Sequence, residues 1–187
     1  MEKQDLLKAF GVQEQEMKPL ELLPEREWLR ATIEKVEYRQ AKFKGDFQFL
    51  QNHETKEFIL DSETGEKIPR MEFNITFILK DFKMPDMKSN RKAWLRIGAF
   101  LSHKANFPTF LLNVLDGEPN LSAGSLWWDW VIAELPGTQV KLQLKNTTAK
   151  DGKVWQSVIY DAVKLDASEP KAEKTEEQKA QEIWDEE

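Results

Sequence analysis

Trp28-Leu29-Arg30-Ala31-Thr32-Ile33-Glu34-Lys35-Val36-Glu37-Tyr38 is the stretch on which the fold class turns. Leu29, Ala31 and Ile33 fall on one side of an extended chain and Trp28, Arg30 and Thr32 on the other, because successive strand side chains point to opposite faces. Val36 and Tyr38 then resume the apolar alternation in the opposite phase. One extra residue near Glu34-Lys35, a β-bulge, accounts for the change and predicts a long, sharply bent first strand.

Working outward, the same period recurs. Ala41 to Asp46 reads as a basic turn, and Phe47 and Phe49 flank Gln48 in a short strand. Asp61 to Lys67 is a turn signal ahead of a strand from Met71 to Leu79, where Met71, Phe73, Ile75 and Phe77 share a face. Ala93 to Phe100 sets Leu95 and Ile97 against Trp94 and Arg96. Gly137 to Asn146 sets Val140, Leu142 and Leu144 against Lys141, Gln143 and Lys145, and Lys153 to Leu165 returns after a turn containing Asp151-Gly152. A helix is predicted from Phe107 to Leu115, with Ser102 as a candidate cap and Asp116-Gly117 as its end. Leu126 to Ile132 reads as a short helix or irregular cover, its tryptophans closing the core or a subunit interface.

Charge divides the chain. Residues 26–165 hold 21 Lys/Arg and 18 Asp/Glu, whereas residues 166–187 hold 3 and 9, so the tail alone matches the formal total of −6. The expected organisation is an N-terminal arm over 1–25, one domain over 26–165 and a disordered acidic tail over 166–187. There is no cysteine, which excludes disulfides, thiol catalysis and sulfur-ligated metals. His53 and His103 lack a companion at ligand spacing. Asp61, Glu63 and Glu66 sit in one segment, but Gly65 between them reads as turn chemistry. No catalytic residue, metal or cofactor is expected. With neither a leader-like start nor an apolar run of membrane-spanning length, the expectation is a soluble protein of a bacterial or phage-infected cytoplasm, with no membrane partner.

The order of elements is long bent strand, two strands, helix, strand, turn, strand. Leu23 to Ile33 followed by Val36-Glu37-Tyr38, then Gly137-Thr138-Gln139-Val140, and Lys150-Asp151-Gly152-Lys153 with Ala162-Val163-Lys164-Leu165, together resemble the OB-fold single-stranded-DNA-binding proteins of phages and their bacterial relatives. The resemblance covers residues 22–165 and departs from the compact pattern at 52–70 and 118–132. It implies an all-β fold with one helix, a five-stranded OB barrel, and sequence-independent binding of single-stranded DNA in replication, recombination or repair. A protein-binding or structural OB module, and a single-stranded RNA binder, are the alternatives.

Bases stack on aromatics while cations track phosphates. The expected nucleic-acid face accordingly joins Trp28, Trp94 and Trp155, the out-of-phase aromatics of their strands, to Arg30, Lys92, Arg96 and Lys153 beside them. Phe43 between Lys42 and Lys44, with Tyr38, Phe47, Lys141 and Lys145, completes it. Ile183, Trp184, Asp185, Glu186 and Glu187 are the candidate partner-docking tip, for replication or recombination proteins or in competition for the DNA face; a homodimer is a further expectation.

Overall fold

A computed structural model describes residues 21–85, 88–102, 104–117, 126–150 and 152–167. Among them the elements run β1 (Leu29–Gln40), β2 (Lys42–Phe43), β3 (Asp46–Phe47), β4 (Met71–Lys83), β5 (Asn90–Gly98), α1 (Asn106–Val114), α2 (Trp127–Glu134), β6 (Gln139–Thr148) and β7 (Val154–Leu165). Five strands form one antiparallel sheet in the order β5-β4-β1-β6-β7, and β2 and β3 form a separate two-stranded sheet.

The bend in β1 lies where the phase change puts it. Its register against β4 moves from Ile33↔Phe77 to Lys35↔Thr76, leaving Glu34 as the extra residue. Leu29, Ala31 and Ile33 before it, and Val36 after it, are all buried. The bulge thus lets one strand keep its apolar side on the core through a sharp turn.

The barrel does not form. Among the described residues β5 and β7 are the two edges of an open sheet, there are two sheets in place of one closed surface, and there are two helices in place of one. The lead-in segment bonds to side chains on both edge strands. Leu23 donates its N–H to Gln156 Oε1 at 2.9 Å and accepts from Gln156 Nε2 at 2.8 Å, while Arg91 Nη1 donates to the Glu21 carbonyl at 2.7 Å. Elsewhere α1 packs against both β7 and β5. The closed five-stranded OB barrel with one helix is overturned, and the resemblance to single-stranded-DNA-binding OB proteins falls with it.

Aromatic packing fixes the helices. Phe73, Phe77, Phe107 and Phe110 are completely buried. The Phe73 and Phe107 rings stack at 4.6 Å, and Trp127 meets Phe73 edge-on at 5.7 Å. Burying a Phe contributes about 1.5–3 kcal/mol, so this cluster outweighs the modest helix propensity of either short segment. Pro108 sits in the first turn of α1, where the missing N–H costs no intrahelical bond. The helix cap is Ala105, without a side-chain bond; Ser102 instead closes the preceding turn, its carbonyl accepting from Ala105 N–H. Trp128 stacks on Tyr38 at 5.5 Å with ring planes 7° apart, and Trp130 packs on the core, so the Trp-rich segment is a helix that closes the core.

Both flanks of the body are tied to it. Arg26 N–H donates to the Leu144 carbonyl, and Glu25 Oε1 accepts from Asn146 N–H. At the other end Asp166, counted with the tail by charge, is 2% exposed, and its N–H donates to Gln139. No helix among the described residues is long and apolar enough to cross a membrane.

Between β1 and β4 the chain leaves the sheet as an arm, residues 41–70. Leu50 N–H donates to Ile68, Ile68 to Ile59 and Ile59 to Leu50, at 2.9, 3.0 and 3.0 Å. This ring of three bonds ties three short extended pieces together. Asp61 holds the distal turn: its Oδ1 accepts from Glu63 N–H and from the N–H and hydroxyl of Thr64. Those bonds, the Thr64 N–H first, keep its carboxyl below the usual carboxylate range.

Candidate interaction groove

Strand alternation on β5 sends Ala93, Leu95 and Ile97 into the core and Lys92, Trp94 and Arg96 outward. On β7, Trp155 faces outward opposite Thr147. Because the sheet stays open, the starts of these two edge strands wall a groove of about 490 Å³. Leu22 and Leu23 line it from the lead-in segment, Met84 from the β4–β5 loop, Val154 from β7 and Leu144 from β6. Trp94 and Trp155 are 56% and 63% exposed, so two large rings flank a concave apolar surface that the described residues do not cover. Arg91 and Lys92 supply positive charge at its wall.

The structure divides the predicted nucleic-acid face among several places. Trp94, Trp155 and Lys92 come together in the groove. Arg96, Lys42 and Phe47 line a second recess of about 320 Å³ with Arg39 and Gln40. Phe43 is exposed on the β2–β3 ribbon with Lys44 Nζ 5.6 Å from its ring, and Lys42 Nζ lies 4.3 Å from the Phe47 ring. Trp28 stands apart with Lys164 Nζ 5.5 Å from its ring. Tyr38 is half-buried between Phe73 and Trp128, and burial raises its phenol above the usual range. Lys145 is exposed on β6 opposite Ser157, and Lys153 lies in the β6–β7 loop, where its carbonyl accepts from Ala149 N–H. Ile183, Trp184, Asp185, Glu186 and Glu187 lie outside the described residues, as does His103.

Several of the expected phosphate-tracking cations have carboxylate partners within the chain. Lys92 Nζ is 2.6 Å from Glu34, the bulge residue, and Arg96 is 3.1 Å from Glu72, which also meets Arg39 at 3.3 Å. Arg30 and Lys141 meet the buried Asp166 at 3.5 and 3.1 Å. Lys35, at 2.7 Å, and Asn74, at 3.0 Å, hold Glu37, which lowers its carboxyl below the usual range.

No protein-family model matches this chain, and no curated protein is detectably similar to it in sequence. The single-stranded-DNA mechanism, and its RNA counterpart on the same face, required a closed barrel presenting stacked aromatics and available cations. An open sheet, with Arg30, Lys92, Arg96 and Lys141 each beside a carboxylate, does not provide that platform. The expected place in replication, recombination or repair loses its support, as does competition by the tail for a DNA face.

Leu22 and Val154 are groove residues that strand patterning alone did not single out. Their signal was Leu20-Glu21-Leu22-Leu23-Pro24, an apolar run in an otherwise polar lead-in, and Val154 beside an outward Trp155.

Proposed function

We propose that this chain is a protein-binding module whose groove between the β5 and β7 edges receives an extended partner segment bearing bulky apolar side chains and acidic flanks. The observation that carries it is the pairing of Trp94 and Trp155, both more than half exposed, across one apolar groove. Exposed aromatic pairs of this kind mark interaction sites, where tryptophan anchors dominate affinity. Arg91, bonded to the neutral Glu21 carbonyl, favours acidic flanks, and the neighbouring strand edges are suited to an added strand.

Magnitudes set the expected affinity. Covering the exposed part of each ring, roughly 130 Å², contributes about 3 kcal/mol by area. The two together barely meet the about 4–15 kcal/mol cost of association, so backbone and rim contacts must add the rest and micromolar binding is expected. Selection from a displayed library of random ten-residue peptides on the whole chain tests this. Enriched peptides should combine bulky apolar and acidic residues and lose at least about tenfold affinity for the Trp94→Ala/Trp155→Ala variant. Failure to enrich any peptide, or enrichment indifferent to those two substitutions, refutes the assignment.

A further inference from the structure

The arm over residues 41–70 presents apolar side chains that the described residues leave uncovered. Ile59 and Leu60 are 41% and 55% exposed, and Phe58 is covered on one face by Lys67 Nζ, 3.9 Å from its ring. The ring of main-chain bonds through Leu50, Ile59 and Ile68 makes this a built element with a fixed shape. An exposed apolar strip on a built protrusion is a docking feature.

Its position keeps it away from its own groove. The arm is rooted where Gln40 pairs with Met71, beside the Glu72↔Gly98 end of β4 and β5. Met84 and Asn90 to Lys92 mark the groove at the other end of the same strand pair, and no arm residue lines it. Charges match across the gap. Residues 52–67 carry Glu54, Glu57, Asp61, Glu63 and Glu66 against Lys56 and Lys67, whereas the charged residues that line the groove are Arg91 and Lys92, the latter held by Glu34. An apolar strip with acidic flanks is the segment chemistry proposed above for the groove.

We infer that the groove's partner is the arm of a second copy of this chain, with Phe58-Ile59-Leu60 laid against Trp94 and Trp155. This rests on the groove being a protein-binding site. Since the arm and groove are different patches at opposite ends of β4–β5, two copies that engage both contacts at once close as a reciprocal two-fold dimer, and copies that engage one contact each propagate into rings or open chains. Opposite charge at the rim makes the association weaken with salt.

Sedimentation of the full chain from about 5 to about 200 μM, a span bracketing micromolar association, reads the outcome. The wild type should gain mass with concentration, and Ile59→Asp/Leu60→Asp and Trp94→Ala/Trp155→Ala should each remain monomeric. An equimolar mixture of the two variants, which together keep one arm and one groove, should form 1:1 dimers that cannot extend. All four replaced side chains are more than two-fifths exposed, so both variants should fold; Leu60→Asp and Trp155→Ala singly give a milder second pair. A wild type that stays monomeric, or assembles while neither mixture pairs, overturns the inference. If the chain is monomeric while selected peptides still occupy the groove, the second-copy partner is wrong and the groove stands. If no peptide binds either, both are wrong.

Discussion

Replacing Asp166 by Asn tests whether the sheet extends past the last strand into what the charge pattern assigns to the tail. The carboxylate is 2% exposed, and faces Lys141 Nζ at 3.1 Å and Arg30 Nε at 3.5 Å. At an effective dielectric of about 20 the Lys141 contact alone has a Coulomb ceiling of about 5 kcal/mol. Against it stand several kcal/mol for taking the carboxylate out of water, as an order of magnitude. The side chains of Arg30 and Lys141 are 40% and 43% exposed, so water screens them and rehydrates them once the acid is gone. The net loss expected for Asp166→Asn is therefore about 1–2 kcal/mol, between the values for exposed and fully buried pairs. With an m-value near 2 kcal/mol/M the urea midpoint should fall by about 0.5–1 M. A cycle with Lys141→Ala separates the pair from its surroundings and should give a coupling of about 0.5–1 kcal/mol. A chain ending at Leu165 should lose what the substitution loses, and one ending at Ala167 should keep it. A midpoint shift below about 0.1 M, or strict additivity in the cycle, would refute Asp166 as an anchor.

Phe107→Ala removes the fully buried ring stacked on Phe73 and should cost about 3–5 kcal/mol in urea unfolding; a loss under about 1 kcal/mol would mean that α1 is not seated as described. Glu37 has a folded pKa below its unfolded value, so its favourable contribution is complete above the ordinary glutamate range and disappears as pH falls through the lower folded value. A side-chain NMR titration should find that lowered midpoint and see it rise in Lys35→Ala, and no movement would remove Lys35 as the main cause. Asp61→Ala should speed amide exchange at Glu63 and Thr64 while leaving the global urea midpoint unchanged, because the bonds it deletes are confined to the tip of the arm; a large midpoint drop would mean that the arm is cooperative with the sheet.

What the chain discloses in its order of residues is the local part. The bulge was legible because it shifts a period-two pattern between Ile33 and Val36, and the outward tryptophans because they break apolar phase on β5 and β7. Closure was not legible. Pairing of β5 with β7 is a long-range matter, like the Leu23–Gln156 contact across 133 residues and the seating of α1, and contacts of that range leave no periodic trace. The same holds for the cations: Arg30 and Lys141 read as available until Asp166 folds back beneath them. Trp127 to Glu134 is short and apolar almost all round, a composition from which helix and irregular cover cannot be separated by pattern. The arm hid behind polar residues because its apolar content comes in groups too short to register as strands.

The root of the arm has a consequence for how this molecule could be altered. Gln40 and Met71 are direct neighbours across the β1–β4 ladder, and Ala41 N–H donates to the Arg70 carbonyl at 2.8 Å. Chain leaves and re-enters the sheet at the same point, so residues 42–69 are grafted onto a hairpin that would be complete without them. A two-residue Asn-Gly turn could replace the whole excursion without disturbing the register of either strand. The arm is in that sense a removable cassette, one that could be exchanged between scaffolds.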